Sequence, residues 1–200
     1  MNLSLSIYDV FANAIPGSLY LLATIYTGIR LGWIEPSELA GLDTTFALVG
    51  AALAAYLLGQ VLGSSLRWLV ERIPLWRGSV DDVRAEFVRR NPTLAGRPFV
   101  RADVFTLLAG LRQRSPEAAT EVDRSRAAGI MLRSASPAFV IGAAIAFVEA
   151  IVSGGAATAA SGLGLAVLAV LSLYEGQKRS RWAQMHTFEC AAWMSGADLT

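Results

Sequence analysis

Only a few residues of this chain have types and spacing that could do chemistry, and several of them sit inside apolar runs. Glu149 is the single charged residue between Ser134 and Tyr174. An ionisable group in such a run is costly to hold in hydrocarbon and marks a functional site by default. In an oligomer, a ring of such carboxylates at a pore mouth would favour cations; close to a turn, the same side chain reaches the headgroups instead. Asn13 lies just ahead of Pro16, which removes a backbone donor and frees a carbonyl. Asn13 can satisfy that carbonyl, or the opened turn can line an ion-binding cavity. Gln60 is the only strongly polar side chain in its run, placed to bond a neighbouring helix. Asn13, Pro16, Gln60 and Glu149 are therefore the candidates for a polar pathway.

Other chemistries find little support. With one histidine, His186, and one cysteine, Cys190, the chain excludes a histidine-rich metal site and an intramolecular disulfide. It has no Gly-rich phosphate loop, no paired-carboxylate motif and no serine elbow. Neither enzyme activity, cofactor nor metal is expected. Arg181-Trp-Ala-Gln-Met-His186 resembles the Arg-x4-His motif of the HEPN ribonucleases over six residues. No four-helix domain of that kind fits around it, so a surface helix with a basic start is the expectation.

The elements that position these residues are membrane spans. The chain is 54% hydrophobic and 16% charged, against about 25% charged in a soluble domain. Thr44 to Leu66 is an uncharged run of 23 residues, long enough as a helix to cross the bilayer core. Val10 to Ile29 makes another span, which Pro16-Gly17 should kink or break near its first third. Asp9 is placed to cap it and to oppose Arg67 or Arg179. The 41 residues from Ser134 to Tyr174 read as two spans, about Ser134 to Val152 and Ala157 to Tyr174, joined by a turn at Ser153-Gly154-Gly155. Pro137 falls in the first turn of the third span, where proline is tolerated.

Small residues recur every fourth position on three of these spans: Ala47, Ala51, Ala55, Gly59 and Gly63 on the second, Ala138, Gly142 and Ala146 on the third, and Gly162 on the fourth. Such ridges let backbones approach closely in lipid. They point to a tightly packed bundle, a homo-oligomer, or both.

Between the second and third spans, Arg67 to Arg133 holds thirteen arginines, no lysine and eight acids, a net charge of +5. Three helices are expected there: Val80 to Arg90 behind a Ser79 cap, Arg101 to Arg112, and one starting near Ser115-Pro116-Glu117. Arg112, Arg114, Arg124 and Arg126, with Lys178 and Arg179 of the tail, are candidates for contacting lipid headgroups or a cytoplasmic protein. Interspersed acids make nucleic acid an unexpected partner. In the tail, Trp182, Met185, Phe188 and Trp193 could lie on the membrane or on the Arg-rich region.

The expected fold is therefore an all-α integral membrane protein: four transmembrane helices with a cytoplasmic helical insertion between the second and third. Its parts are 1–66, two spans with a short outer loop; 67–133, the Arg-rich region; 134–175, a transmembrane hairpin; and 176–200, a C-terminal helix. Except for Arg30 at the margin of the first span, the basic residues flank one end of the spans, which places both termini and the insertion in the cytoplasm of an inner membrane. Trp33 then belongs to an outer aromatic belt, and Trp68, Trp76 and Trp182 to an inner one.

Tyr8-Asp9 followed by Pro16-Gly17, and Tyr56-Leu-Leu-Gly59 running into Leu66-Arg67-Trp-Leu-Val-Glu71-Arg72, give a layout that resembles a diffuse group of prokaryotic four-span proteins. Small membrane accessory proteins of antiviral systems, encoded beside RNA-guided nucleases or adenosine deaminases, are similar in size and span count. The resemblance implies a defence-associated inner-membrane protein that assembles and perturbs its membrane. On the sequence, the leading expectation is an oligomeric pore controlled from its cytoplasmic face. The alternative is a non-conducting anchor that docks a soluble partner on the Arg-rich region.

Overall fold

The computed structural model describes residues 7–37, 41, 43–71 and 79–197. Seven α-helices are assigned among them, and they take the labels α1 Ile7–Arg30, α2 Thr44–Glu71, α3 Val80–Arg90, α4 Pro98–Arg101, α5 Val104–Arg114, α6 Pro116–Ser153 and α7 Ala156–Ala197. A 3-10 turn, Pro92–Leu94, joins α3 to α4. Four helices, α1, α2, α6 and α7, are long and apolar enough to cross a membrane. Their outward side chains, among them Leu22, Leu53, Leu57, Val148, Leu163 and Leu171, are exposed. In lipid that surface meets hydrocarbon rather than water.

α6 and α7 do not stop at the apolar boundary. With 38 and 42 residues they run about 57 and 63 Å at 1.5 Å per residue, roughly twice the hydrocarbon thickness. The boundaries drawn from sequence at 133/134 and 175/176 therefore fall inside continuous helices. Pro137 consequently lies deep in α6 and not in a first turn. Gly154, left-handed at φ 68°, ends α6 and starts the return into α7.

Two contacts between backbones set the packing. α1 and α2 cross where a Cβ on Gly17 would land inside the Ala55 carbonyl and 2.7 Å from the Gly59 nitrogen, and a Cβ on Gly59 would land on the Asn13 carbonyl. α6 and α7 meet where a Cβ on Gly129 would lie 2.9 Å from the Gly176 oxygen, and one on Gly176 3.0 Å from the Gly129 oxygen. α1 packs between α2 and α6, and Gly63 of α2 faces Ser134 of α6. The helix continues through Pro16, so the expected break is absent; the buried proline ring is part of the bundle interior instead.

At the end away from Gly154, the projecting halves of α6 and α7 carry α3, α4 and α5 as a cap. Ser79 starts α3 with a reciprocal cap: its hydroxyl accepts from the Asp81 nitrogen, and the Asp82 carboxylate accepts from its own nitrogen. Asp103 starts α5 by accepting from the Phe105 nitrogen at 2.9 Å, so α5 begins at Val104 rather than at Arg101. The cap has no core without the tail. Phe188 of α7, fully buried, stacks on Phe87 at 5.6 Å and packs with Val83 and Val100. Ala183 closes a second cluster with Leu108, Leu111, Ala119 and Val122. Phe188 and Met185 thus lie against the cap, while Trp182 and Trp193 stay exposed.

The glycine crossing of α1 and α2 gives a direct test. Gly17→Ala and Gly59→Ala are each expected to lower the thermal midpoint in detergent, by about 1–3 kcal/mol of overpacking or more. Gly50→Ala, on the open face of α2 where nothing lies within 4 Å, is expected to leave it unchanged or raise it.

Candidate functional site

Several polar groups of the spans turn inward or back onto their own helices. The Tyr20 hydroxyl, buried, donates to the Ser134 carbonyl of α6 at 2.9 Å. That carbonyl lies one turn before Pro137, where proline loosens the helix's own bonding. The Ser136 hydroxyl donates to the Ala169 carbonyl of α7 at 2.9 Å. Thr24, Thr27 and Ser161 donate to carbonyls four residues back. Two of these bonds tie α1 to α6 and α6 to α7 in a medium that supplies no water to compete.

Glu149 has two partners from α1. Its carboxylate accepts from the Tyr26 hydroxyl and forms an ion pair with Arg30. Among the described residues, Arg30 is the one basic residue at the far end of the spans from the others, and this pair accounts for it. Glu149 is therefore charge-matched within its own chain, near the Gly154 turn. Beside it, a cleft of about 660 Å³ between α1, α6 and α7 is lined mainly by Leu22, Phe139, Ile145 and Leu165, open to the lipid side.

The four pathway candidates do not converge. Asn13, half-buried, and Pro16, buried, sit at the crossing with α2. Gln60 is exposed on α2, and Glu149 is at the opposite end of the bundle. The packing ridge divides in two. Ala55, Gly59 and Gly63 are buried against the bundle, whereas Ala51 is exposed and Ala47 half-buried on the outer half of α2. Ala138, Ala146 and Gly162 are buried, and Gly142 meets Leu165. Sequence reasoning missed Tyr20, Tyr26, Gly129 and Gly176. The two glycines stand outside the four-residue ridges, and nothing local marks the tyrosines.

On the cap, some arginines are already engaged. Arg112 forms a two-pronged pair with Asp123 at 2.9–3.2 Å, and Arg126 lies 4.7 Å over the Phe105 ring. Lys178 pairs with Glu175 at 3.5 Å. Arg114 is exposed, as are Arg89, Arg97, Arg101, Arg124 and Arg179, and the last five stand outside the ion pairs of the described residues. Asp9, Trp68 and Trp76, singled out in the sequence, have side chains outside the described residues.

Arg181 and His186 do not share a site. Five residues apart on a helix they point about 140° apart. Arg181 pairs with Glu86 at 3.3 Å, and His186 stacks on Trp182 at 4.8 Å. Cys190 lies 3.8 Å from His186. Burial, with Glu189 adding to it, pushes its thiol up, the opposite of the shift that makes a cysteine nucleophilic. Among the described residues no group of three His, Cys, Asp or Glu side chains could hold a metal.

The Arg30–Glu149 pair is expected to behave as a coupled unit. Glu149→Gln or Arg30→Gln alone should destabilise the bundle more than the double substitution does relative to either, with a coupling of about 1 kcal/mol in a double-mutant cycle of unfolding in mixed micelles. The chain matches no protein-family model, no curated protein and no solved structure.

Proposed function

We propose that the chain is a non-conducting membrane anchor that holds a soluble protein partner at the bilayer surface on its basic cap. The observation that carries this reading is the continuity of α6 and α7, which run unbroken from the spans into the cap. A rod of this kind fixes the cap's height and orientation over the membrane. Two further features support it. The hydroxyls of Tyr20, Thr24, Thr27, Ser136 and Ser161 bond within the bundle, and Glu149, the one acid in the apolar runs of the described spans, is matched by Arg30 rather than left free to line an ion path. The exposed Arg89, Arg97, Arg101 and Arg124 give the cap a surface suited to an acidic partner. The positive-inside rule puts that surface and both termini in the cytoplasm of an inner membrane. The resemblance to membrane accessory proteins of antiviral systems fits an anchor as well as a pore.

The oligomeric pore is the competing reading. Its support is the small, exposed stretch around Ala47, Gly50 and Ala51, which leaves α2 a face where a second copy can pack closely. Any water path would then run between copies.

Potassium efflux separates the two. Vesicles carrying the purified protein are expected to leak no faster than protein-free vesicles, and Glu149→Gln is expected to change nothing. A steady efflux that Glu149→Gln alters would overturn the anchor in favour of the pore. Orientation is checked by labelling in a Cys190→Ser background. Gly155→Cys should react with an impermeant maleimide on intact cells, and Arg97→Cys only after permeabilisation.

A further inference from the structure

On the cap, between α5, α6 and α7, lies a cavity of about 230 Å³ that is partly open to solvent. One part of its wall is apolar, formed by Phe105, Leu108, Val122 and Ile130. The rest carries Asp103, Arg126, Arg133, Ser180, Gln184 and Thr187. Two of these polar groups are satisfied: Asp103 caps α5, and the Thr187 hydroxyl donates to the Ala183 carbonyl at 2.8 Å. Two are not. Ser180 Oγ and Gln184 Oε1, one turn apart on α7, are shut away from solvent and have no hydrogen-bond partner. Buried polar atoms are almost always paired, so an unpaired couple lining one cavity calls for an occupant.

Charge narrows the occupant. Arg126 lines the wall, and the one carboxylate there, Asp103, is engaged by the Phe105 nitrogen. Arg126 is held over Phe105 and takes part in no ion pair among the described residues. An anion is therefore favoured. Gln184 Oε1 can only accept, so the occupant also needs a donor. Ordered water would meet Ser180 and Gln184, but it gains nothing against Phe105, Leu108, Val122 and Ile130. The space admits on the order of ten non-hydrogen atoms, at the lower end of ligand pockets.

We propose that this cavity binds a small organic anion with an apolar body. The body lies against Phe105, Leu108, Val122 and Ile130, the negative group meets Arg126, and a hydroxyl or amine donates to Gln184 Oε1. This assignment stands apart from the anchor reading, because a pore could carry the same cap.

The test is thermal unfolding of the full chain in detergent, with three probes at up to about 10 mM. 4-Hydroxybenzoate has the anion, the ring and the donor; benzoate lacks the donor; 4-hydroxybenzyl alcohol lacks the charge. 4-Hydroxybenzoate is expected to raise the midpoint by about 3–6 °C near saturation, and the other two by clearly less. Arg126→Gln and Gln184→Leu should each abolish the rise. Gln184→Leu removes an unpaired buried acceptor, so its unliganded midpoint should equal or exceed that of the wild type, which separates lost binding from lost folding. No rise with 4-hydroxybenzoate would mean a water-filled cavity and overturn the proposal. So would an equal rise with all three probes, or a rise that survives both substitutions.

Discussion

Hydrocarbon exerts no hydrophobic pull between helices, so the spans of this protein hold together by close backbone contact and by hydrogen bonds kept inside the bundle. Gly17 and Gly59 bring α1 and α2 together until one backbone touches the other. Tyr20 then ties α1 to α6 through the Ser134 carbonyl, and Ser136 ties α6 to α7. A larger residue at either glycine would push α1 and α2 apart.

Beyond the apolar region the solvent changes, and so does what holds the structure. The same two helices now pack in water, where burying Phe188, Phe87, Leu108 and Leu111 drives association. Gly129 and Gly176 keep α6 and α7 in contact as they leave the bilayer. The hairpin is thus one rod with a lipid half and a water half. The Arg-rich insertion packs on it: α3 and α4 lie against Phe188, and Ala183 joins the cluster of α5 and α6.

The ionisable groups follow the same division. At the Gly154 end Glu149 pairs with Arg30, and Glu35 and Asp43 lie exposed in the connection between α1 and α2. At the cap end arginines outnumber acids, some are locked by Asp123, Glu86 or Phe105, and others stay open. Among the described residues, one end of the protein is thus acidic and the other basic.

The sequence alone determined the four spans, because a run of about twenty apolar residues has few other stable fates. It also determined α3, whose Ser79 and Asp82 form a local cap, and the Gly154 turn. The small-residue ridge was legible as a face but not as a contact: Ala55, Gly59 and Gly63 are used inside the chain while Ala51 is not, and only the crossing point decides between them. Arg30 looked out of place, and Glu149 looked like a lone charge. They are 119 positions apart, and only the docking of α1 on α6 makes them a pair. The unpaired Ser180 and Gln184 could not be seen either. On a helix alone they would face water; the packing of α5 and α6 over them takes that water away. Local propensity and hydrophobic length are written along the chain, whereas pairing, enclosure and the loss of solvent arise only when distant segments meet.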